Sequence, residues 1–138
     1  MSAHQLKRCL IIAYCFFLLT ILGGCAPRPR YLIREGKVHG FYQVGLCSYY
    51  GRERHGMRTA SGERYSMYAL TAAHRDLPFG TLLRVTCLDT GRSVVVRVND
   101  RGPSAPNRVV DLSYSAARII GLVGHGWVRV RLDVVGGE

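Results

Sequence analysis

The alternating run Ser93–Asn99, which leads directly into Asp100, constrains the fold of this chain more than any other segment. Valines occupy every second position of this run, and side chains on a strand alternate between its two faces, so the pattern predicts a β-strand with one buried face. A Gly-Pro turn follows Asp100. Carboxylates at the ends of strands are common sites of acid/base chemistry, and the alternative is an Asp that only caps the turn.

Similar short apolar runs recur through the chain and predict a mainly β domain. Besides Ser93–Asn99, the predicted strands are Gly45–Tyr50, Thr81–Leu88, Arg108–Leu112 and Trp127–Val135. Asp89-Thr90-Gly91 is typical of a hairpin turn. Short strands with few helices favour a small closed barrel, which leaves no unpaired strand edge.

Helical patterns are few. One helix is predicted at Tyr114–Ile120, because Ser113 is a favourable N-cap and Gly121 follows the last turn. A second, weaker helical turn is predicted at Met67–Ala72. The expected fold therefore contains one or two short helices.

The first residues have the pattern of an export signal. Lys7 and Arg8 precede an apolar run over residues 10–22, which is shorter than the ~20 residues needed to span a bilayer. Leu22-Gly23-Gly24-Cys25 resembles the lipobox of bacterial lipoproteins, and this resemblance implies acylation of Cys25. Ala26 follows, which in that class favours the periplasmic face of the outer membrane. We therefore expect a signal peptide at 1–24, a tether at 25–42 and one domain at 43–135.

The charge balance is strongly basic, with a formal net charge of +10 to which Lys7 and Arg8 contribute. A cytosolic protein of this charge would suggest nucleic acid as a partner, but export removes that partner. Anionic lipid head groups and cell-wall polymer remain as candidates. The alternative is a solvated surface with scattered charges and no specific partner.

Cysteine usage leaves one question open. If the signal is removed and Cys25 is acylated, Cys47 and Cys87 remain in an oxidising compartment. One hypothesis is a disulfide between them. The other is that both are free thiols, buried and packed as small apolar groups.

Four blocks resemble the rare lipoprotein A family of septal-ring lytic transglycosylases. In chain order they are Gly45-Leu46-Cys47-Ser48-Tyr49-Tyr50-Gly51, then Thr59-Ala60-Ser61-Gly62-Glu63 running on to Ala69-Leu70-Thr71-Ala72-Ala73-His74, then Leu77-Pro78-Phe79-Gly80-Thr81, and finally Val98-Asn99-Asp100-Arg101-Gly102-Pro103 through Asp111-Leu112-Ser113. The match covers Gly45 to Val135 in order.

This resemblance implies a six-stranded double-psi β-barrel that acts on peptidoglycan glycan strands, with Glu63, His74 and Asp100 as its functional positions. The chain departs from the family at Cys47 and Cys87, where Ala and Asn are expected. No glycan-binding repeat domain follows Val135 in this sequence, which puts septal localisation in doubt.

Lytic transglycosylation, the reaction that the resemblance implies, cleaves the bond between N-acetylmuramic acid and N-acetylglucosamine and leaves a 1,6-anhydro end. Because the nucleophile is a hydroxyl of the substrate itself, one carboxyl that donates and then accepts a proton suffices, and Asp100 is the first choice. Glu63 is expected to be that acid/base group, to act on Asp100 by like-charge repulsion, or to be a solvated loop charge. His74 is expected to position a hydroxyl, to carry a proton, or to be a hydrogen-bonded core imidazole.

Tyr49, Tyr50 and Arg101 are the predicted substrate-binding residues, although aromatic residues in strands more often belong to a core. The histidines have no metal-ligand spacing and no Gly-rich phosphate loop opens a helix, so neither a metal nor another cofactor is expected. Two other functions stay open. One is an expansin-like glycan-binding or wall-loosening module, and the other is a lipoprotein scaffold.

Overall fold

A computed structural model gives the fold and describes residues 32–34 and 37–137. The strands are β1 (Leu32–Arg34), β2 (Lys37–Tyr49), β3 (Thr71–Ala73), β4 (Leu82–Cys87), β5 (Ser93–Asp100), β6 (Arg108–Leu112) and β7 (Val128–Gly136). A 3-10 helix at Arg52–Arg54 and one α-helix, α1 (Tyr114–Ile120), complete the elements. Over these residues no helix is both long enough and apolar enough to cross a bilayer. The predicted signal peptide and Cys25 lie outside the described residues.

Six of the strands close into a barrel. They are hydrogen-bonded in the order β2-β6-β3-β5-β4-β7, and β7 pairs back onto β2. The β2–β6 and β3–β5 pairs are parallel, whereas the other pairs of the barrel are antiparallel. β1 pairs antiparallel with β2 outside this closed set. The prediction of a mainly β, six-stranded barrel is confirmed.

The barrel interior is filled by the apolar face of each alternating strand. In β5 the side chains of Val94, Val96 and Val98 are buried, and in β7 the same alternation buries Val130 and Leu132. Burial of a Val or Leu side chain contributes about 1.5–3 kcal/mol, so a strand that slipped by one residue would lose several such contributions. Alternation therefore sets the register of the strands around the core.

Two elements differ from the sequence-based expectations. β2 begins at Lys37, upstream of the strand predicted at Gly45–Tyr50, and Gly40 already pairs with Val134 of β7. The helical turn predicted at Met67–Ala72 is wrong: a turn is followed by strand β3, Thr71–Ala73. β3 is fully buried between β5 and β6, so pairing on both sides overrides its weak local helical preference.

The predicted helix α1 is present with its predicted caps. The Ser113 hydroxyl accepts a hydrogen bond from the backbone N–H of Ala116, and Gly121 adopts the left-handed conformation at φ 79°. Ile120 and the alanines of this helix pack into the barrel core. Local capping chemistry was sufficient to predict this element.

Cys47 and Cys87 are free thiols buried in the core, and the structure contains no disulfide between them. Cys47 lies opposite Val128 and Cys87 lies opposite Val130, so strand β7 separates the two cysteine-bearing strands. Strands separated by one intervening strand are about 9–10 Å apart, which exceeds the Cα spacing of a disulfide. Burial also raises the pKa of the Cys47 thiol, with a further contribution from the Asp111 carboxylate.

Candidate active site

Asp100 ends strand β5, beside Ala73 of β3, and its carboxyl group is held by three donors. Its Oδ1 accepts backbone N–H groups from Ala60 at 2.9 Å and from Arg101 at 2.8 Å. The hydroxyl of Tyr50 lies 3.4 Å from Oδ2. Oδ1 therefore acts as a cap for the backbone of the adjacent loops. Oδ2 has only the longer contact, so it is the oxygen left to exchange a proton with a bound molecule.

Tyr50 is part of the environment of Asp100. Its ring packs edge-on against Tyr65 at 5.5 Å between centroids, and the Arg54 guanidinium lies 4.7 Å from its centre. Burial raises the pKa of the Tyr50 phenol, and the neighbouring Asp100 carboxylate raises it further. The phenol therefore stays protonated at neutral pH and remains a hydrogen-bond donor toward Oδ2.

Glu63 is held as a carboxylate. Arg97 contacts it with two parallel hydrogen bonds, Nη1 to Oε1 at 2.7 Å and Nη2 to Oε2 at 2.9 Å, and the Asn99 amide donates to Oε2 at 3.1 Å. These hydrogen bonds lower the pKa of Glu63 from 4.5 to about 2. Glu63 therefore carries no proton to donate at neutral pH. Because Arg97 neutralises its charge, its repulsion of Asp100 is also weakened.

His74 is a hydrogen-bonded imidazole in the barrel, only 1% exposed. Its Nδ1 accepts the backbone N–H groups of Asp76 and Leu77, each at 3.1 Å, and its Nε2 lies 3.1 Å from the side-chain amide nitrogen of Gln43. Burial lowers the pKa of His74 to about 4. At neutral pH it is an uncharged group that fixes the turn after β3.

Two arginines hold together the loops that flank Asp100. Arg101 donates from Nη1 to the carbonyls of His74 at 3.2 Å and Leu77 at 2.8 Å, so its predicted substrate-binding head group is already engaged in the fold. Arg75 donates to the carbonyls of the loop that follows Asp100, namely those of Pro103, Ala105, Pro106 and Arg108. This cross-bracing limits the positions that the Asp100 carboxyl can take.

The remaining predicted substrate-binding residue, Tyr49, is half-buried, packs against the core and lies 6.2 Å from the ring of Tyr114. A cleft with a volume of about 710 Å³ is lined by Ser61, Glu63, Phe79, Gly80, Leu82, Arg97 and Gly137. Neither Tyr49 nor Tyr50 lines it. Of the three predicted catalytic residues, only Glu63 lines it.

Asp100 lies beside the cleft, since the loop that carries Glu63 bridges to the end of β5. Ala60 donates to the Asp100 carboxyl, and the next amide, that of Ser61, donates to the Asn99 carbonyl at 3.3 Å. The structure thus brings Asp100 and Glu63 to one end of the same strand. His74 sits behind them, with its backbone N–H on the Asp100 carbonyl at 3.1 Å.

Sequence reasoning missed three residues of this region: Arg97, Asn99 and Phe79. The alternation itself could have indicated the first two, because Arg97 and Asn99 occupy the face of β5 opposite its buried valines. Phe79 follows Leu77-Pro78 in a loop, where no periodic signal marks its exposure. Within the described residues, no three His, Cys, Asp or Glu side chains converge as a metal-binding group.

Comparison with known proteins adds an independent finding. The sequence model of a family described as lytic transglycolase matches residues 42–132. A probable endolytic peptidoglycan transglycosylase RlpA from Synechocystis is 58% identical over 91 residues, covering 66% of this chain and 28% of that protein. Endolytic peptidoglycan transglycosylase RlpA from Vibrio cholerae is 50% identical over 96 residues, covering 70% of this chain and 36% of that protein.

Endolytic peptidoglycan transglycosylase RlpA from Pseudomonas aeruginosa UCBPP-PA14 is 50% identical over 114 residues, covering 83% of this chain and 32% of that protein. This chain therefore spans about a third or less of the length of these relatives. Among solved structures, the Streptomyces papain inhibitor aligns with a TM-score of 0.51 and 21% identity over 65% of this chain and 94% of that one. That likeness supports the barrel fold alone.

Proposed function

Because this chain belongs to the lytic transglycolase family, we propose that its barrel domain cleaves peptidoglycan glycan strands between N-acetylmuramic acid and N-acetylglucosamine. The domain proposed from the sequence, residues 43–135, covers nearly all of the family match at 42–132. The start of β2 at Lys37 supports extending its N-terminal boundary to that residue. Peptidoglycan is the substrate in the names of the relatives. We propose Asp100 as the catalytic residue.

The proton transfers are assigned to one carboxyl group. Asp100, protonated on Oδ2, donates its proton to the glycosidic oxygen as the bond from that oxygen to the anomeric carbon of N-acetylmuramic acid breaks. The 6-hydroxyl of the same sugar attacks the anomeric carbon, and its proton returns to Oδ2. The products are a 1,6-anhydro end and a free 4-hydroxyl, and no water is consumed. One group therefore serves as acid and then as base.

The arrangement around Asp100 is the observation that carries this proposal. Two backbone N–H groups occupy Oδ1, at 2.9 and 2.8 Å, which fixes the plane of the carboxyl group and leaves Oδ2 for the proton. A carboxyl group fixed in this way needs no reorganisation during the reaction. The cross-braced loops on either side limit its movement beside the cleft.

Glu63 and His74 are proposed to support Asp100. Glu63 is an ionised acceptor in the cleft wall, suited to accepting a hydrogen bond from a sugar hydroxyl. His74 supports the turn behind Asp100 through its ring and its backbone N–H. We propose no cofactor for this reaction.

We further propose that the protein acts in the cell envelope, held at the outer membrane by lipid on Cys25. The motif Leu22-Gly23-Gly24-Cys25 supports this location. Replacement of Cys25 by Ala should remove the lipid mass from the protein and release it from membrane fractions. Unchanged membrane partition without a lipid mass on the wild-type protein would contradict the proposal.

The decisive experiment is incubation of the purified protein with peptide-free glycan strands, followed by mass spectrometry. The proposal expects products that end in 1,6-anhydro-N-acetylmuramic acid. Hydrolytic products, which are heavier by one water, would assign a glycosidase instead. Binding of the strands without any product would assign the expansin-like, non-catalytic function.

A further inference from the structure

The walls of the cleft differ in chemical character. One wall is polar and is formed by the Glu63–Arg97 pair, whose side chains are 44% and 42% exposed. The other part of the lining is apolar, formed by Phe79 and Leu82 together with Gly80 and Gly137, and Leu82 is the cross-strand partner of Arg97. The polar groups retain unused hydrogen-bonding capacity, since a carboxylate offers about four lone-pair sites. Such a cleft fits a molecule with one apolar face and a polar rim.

Phe79 is held in a fixed orientation at this cleft. Its ring covers the Arg101 guanidinium, which lies 3.9 Å from the ring centre and is itself held by the carbonyls of His74 and Leu77. The side chain nevertheless remains 38% exposed. The chain then turns away at Gly80, with φ 89° and an N–H bond to the Val98 carbonyl at 2.8 Å. The outer surface of the ring is therefore presented to the cleft.

We propose that Phe79 is the platform on which one pyranose ring of the glycan strand stacks, with the polar edge of that sugar facing Glu63 and Arg97. This inference rests on the proposed function and adds the residue that positions the substrate. A pyranose ring has an apolar C–H face and a rim of hydroxyl and acetamido groups, which matches the apolar and polar parts of this lining. Arg101 is a positioning residue in this scheme, because it orients the ring of Phe79 from behind and need not touch the sugar.

The other aromatic side chains of the described residues are placed elsewhere. Tyr49 and Tyr50 pack against other tyrosines, and neither lines the cleft. Trp127 is 61% exposed but immediately precedes β7, whereas Gly137, which lines the cleft, immediately follows that strand. A nine-residue strand spans about 30 Å, so Trp127 lies at the far end of the barrel. Trp127 is thus a matched control for loss of an exposed aromatic ring.

The test compares Phe79→Leu, Phe79→Trp and Trp127→Ala with the wild-type protein on soluble peptide-free glycan strands. Leu keeps an apolar side chain over Arg101 but has no flat ring, so KM should rise about tenfold while kcat changes little. Phe79→Trp and Trp127→Ala should retain a KM close to that of the wild type. Thermal unfolding of each variant verifies that its fold is intact.

The outcomes separate this inference from the proposed function. If the wild-type protein releases 1,6-anhydro products and Phe79→Leu keeps the wild-type KM, the stacking platform is wrong and the transglycosylase assignment stands. If the wild-type protein binds strands and releases nothing, the proposed reaction is wrong, and weaker binding by Phe79→Leu alone would still support the platform. An equal rise in KM for Trp127→Ala would show a nonspecific effect and overturn the inference.

Discussion

The guanidinium of Arg97 holds both carboxylate oxygens of Glu63, with N···O distances of 2.7 and 2.9 Å. Arg97 comes from strand β5 and Glu63 from the loop that lies over the end of that strand. Two carboxyl groups thus lie near one end of the barrel with different partners. Glu63 is ionised and paired with Arg97, so Asp100 is the carboxyl group that we propose for proton transfer.

Replacement of Asp100 by Asn should reduce the release of 1,6-anhydro products by about 10²–10⁴-fold, the usual contribution of general acid/base catalysis. The amide keeps the size of the carboxyl group and can still accept the N–H groups of Ala60 and Arg101. The thermal unfolding temperature should therefore change little. Product release at the wild-type rate would show that Asp100 is only a turn cap.

Replacement of Glu63 by Gln should cost less activity than Asp100→Asn, because Glu63 has no proton to transfer at neutral pH. Its effect on stability should depend on pH. The folded-state pKa, about 2, lies below the ordinary value of 4.5, so the carboxylate stabilises the fold above pH 4.5 and that contribution is lost as pH falls toward 2.

Denaturant unfolding at pH 7 and pH 3 measures this effect. The free energy of unfolding of the wild-type protein should exceed that of Glu63→Gln by about 1 kcal/mol or less at pH 7, because the Glu63–Arg97 pair is partly exposed. The difference should be smaller at pH 3. The same difference between the two proteins at both pH values would contradict the ionised pair.

His74 should make a second pH-dependent contribution to folding stability, in a pH range above that of Glu63. Its folded-state pKa, about 4, lies below the ordinary 6.5, so the unfolded chain binds more protons between these values. Stability should be highest above pH 6.5 and should fall as pH drops from 6.5 toward 4. This decline should be much smaller in His74→Gln and should persist in His125→Gln, which alters an exposed loop residue.

His74→Gln should also be less stable at pH 7 by about 1–3 kcal/mol, because two backbone N–H groups lose their acceptor. Unfolding curves collected across pH 4–8 measure both effects. A decline of unchanged size in His74→Gln would assign the titration to another group.

Replacement of Tyr50 by Phe removes the hydroxyl that faces Asp100 Oδ2 and keeps the ring that packs on Tyr65. We expect kcat to fall about five- to tenfold, the equivalent of one modest hydrogen bond, with KM nearly unchanged because Tyr50 does not line the cleft. Tyr68→Phe, which alters an exposed tyrosine packed on His55, is the control. A rise in KM without loss of kcat would instead make Tyr50 a substrate-binding residue.

The two core cysteines should be unreactive in the native protein. Both are buried, and the pKa of Cys47 is raised by burial, so little reactive thiolate is available. A thiol reagent should label Cys47 and Cys87 only after denaturation, and the mass of the unlabelled protein should show no disulfide between them. Rapid labelling of the folded protein would show that this part of the barrel opens readily.

Local sequence determined much of this protein. In β5 the alternation of valines specified the buried face and placed Asp100 at the end of the strand, because the side-chain period of a strand is two. Ser113 and Gly121 specified the ends of α1, since capping depends on contacts within a few residues. Both outcomes follow from interactions between neighbours along the chain.

Tertiary structure decided the rest. β3 carries no alternating pattern and is a strand because β5 and β6 hydrogen-bond to it on both sides. Contacts between distant parts of the chain pair Glu63 with Arg97 and bring Tyr50 to Asp100. The position of Phe79 in the cleft also depends on residues far from it in sequence. Such contacts depend on how the barrel closes and how its loops cross. The charge state and the exposure of a side chain depend on those contacts. Residue type alone therefore identified Glu63 and His74 as candidates but did not determine their roles.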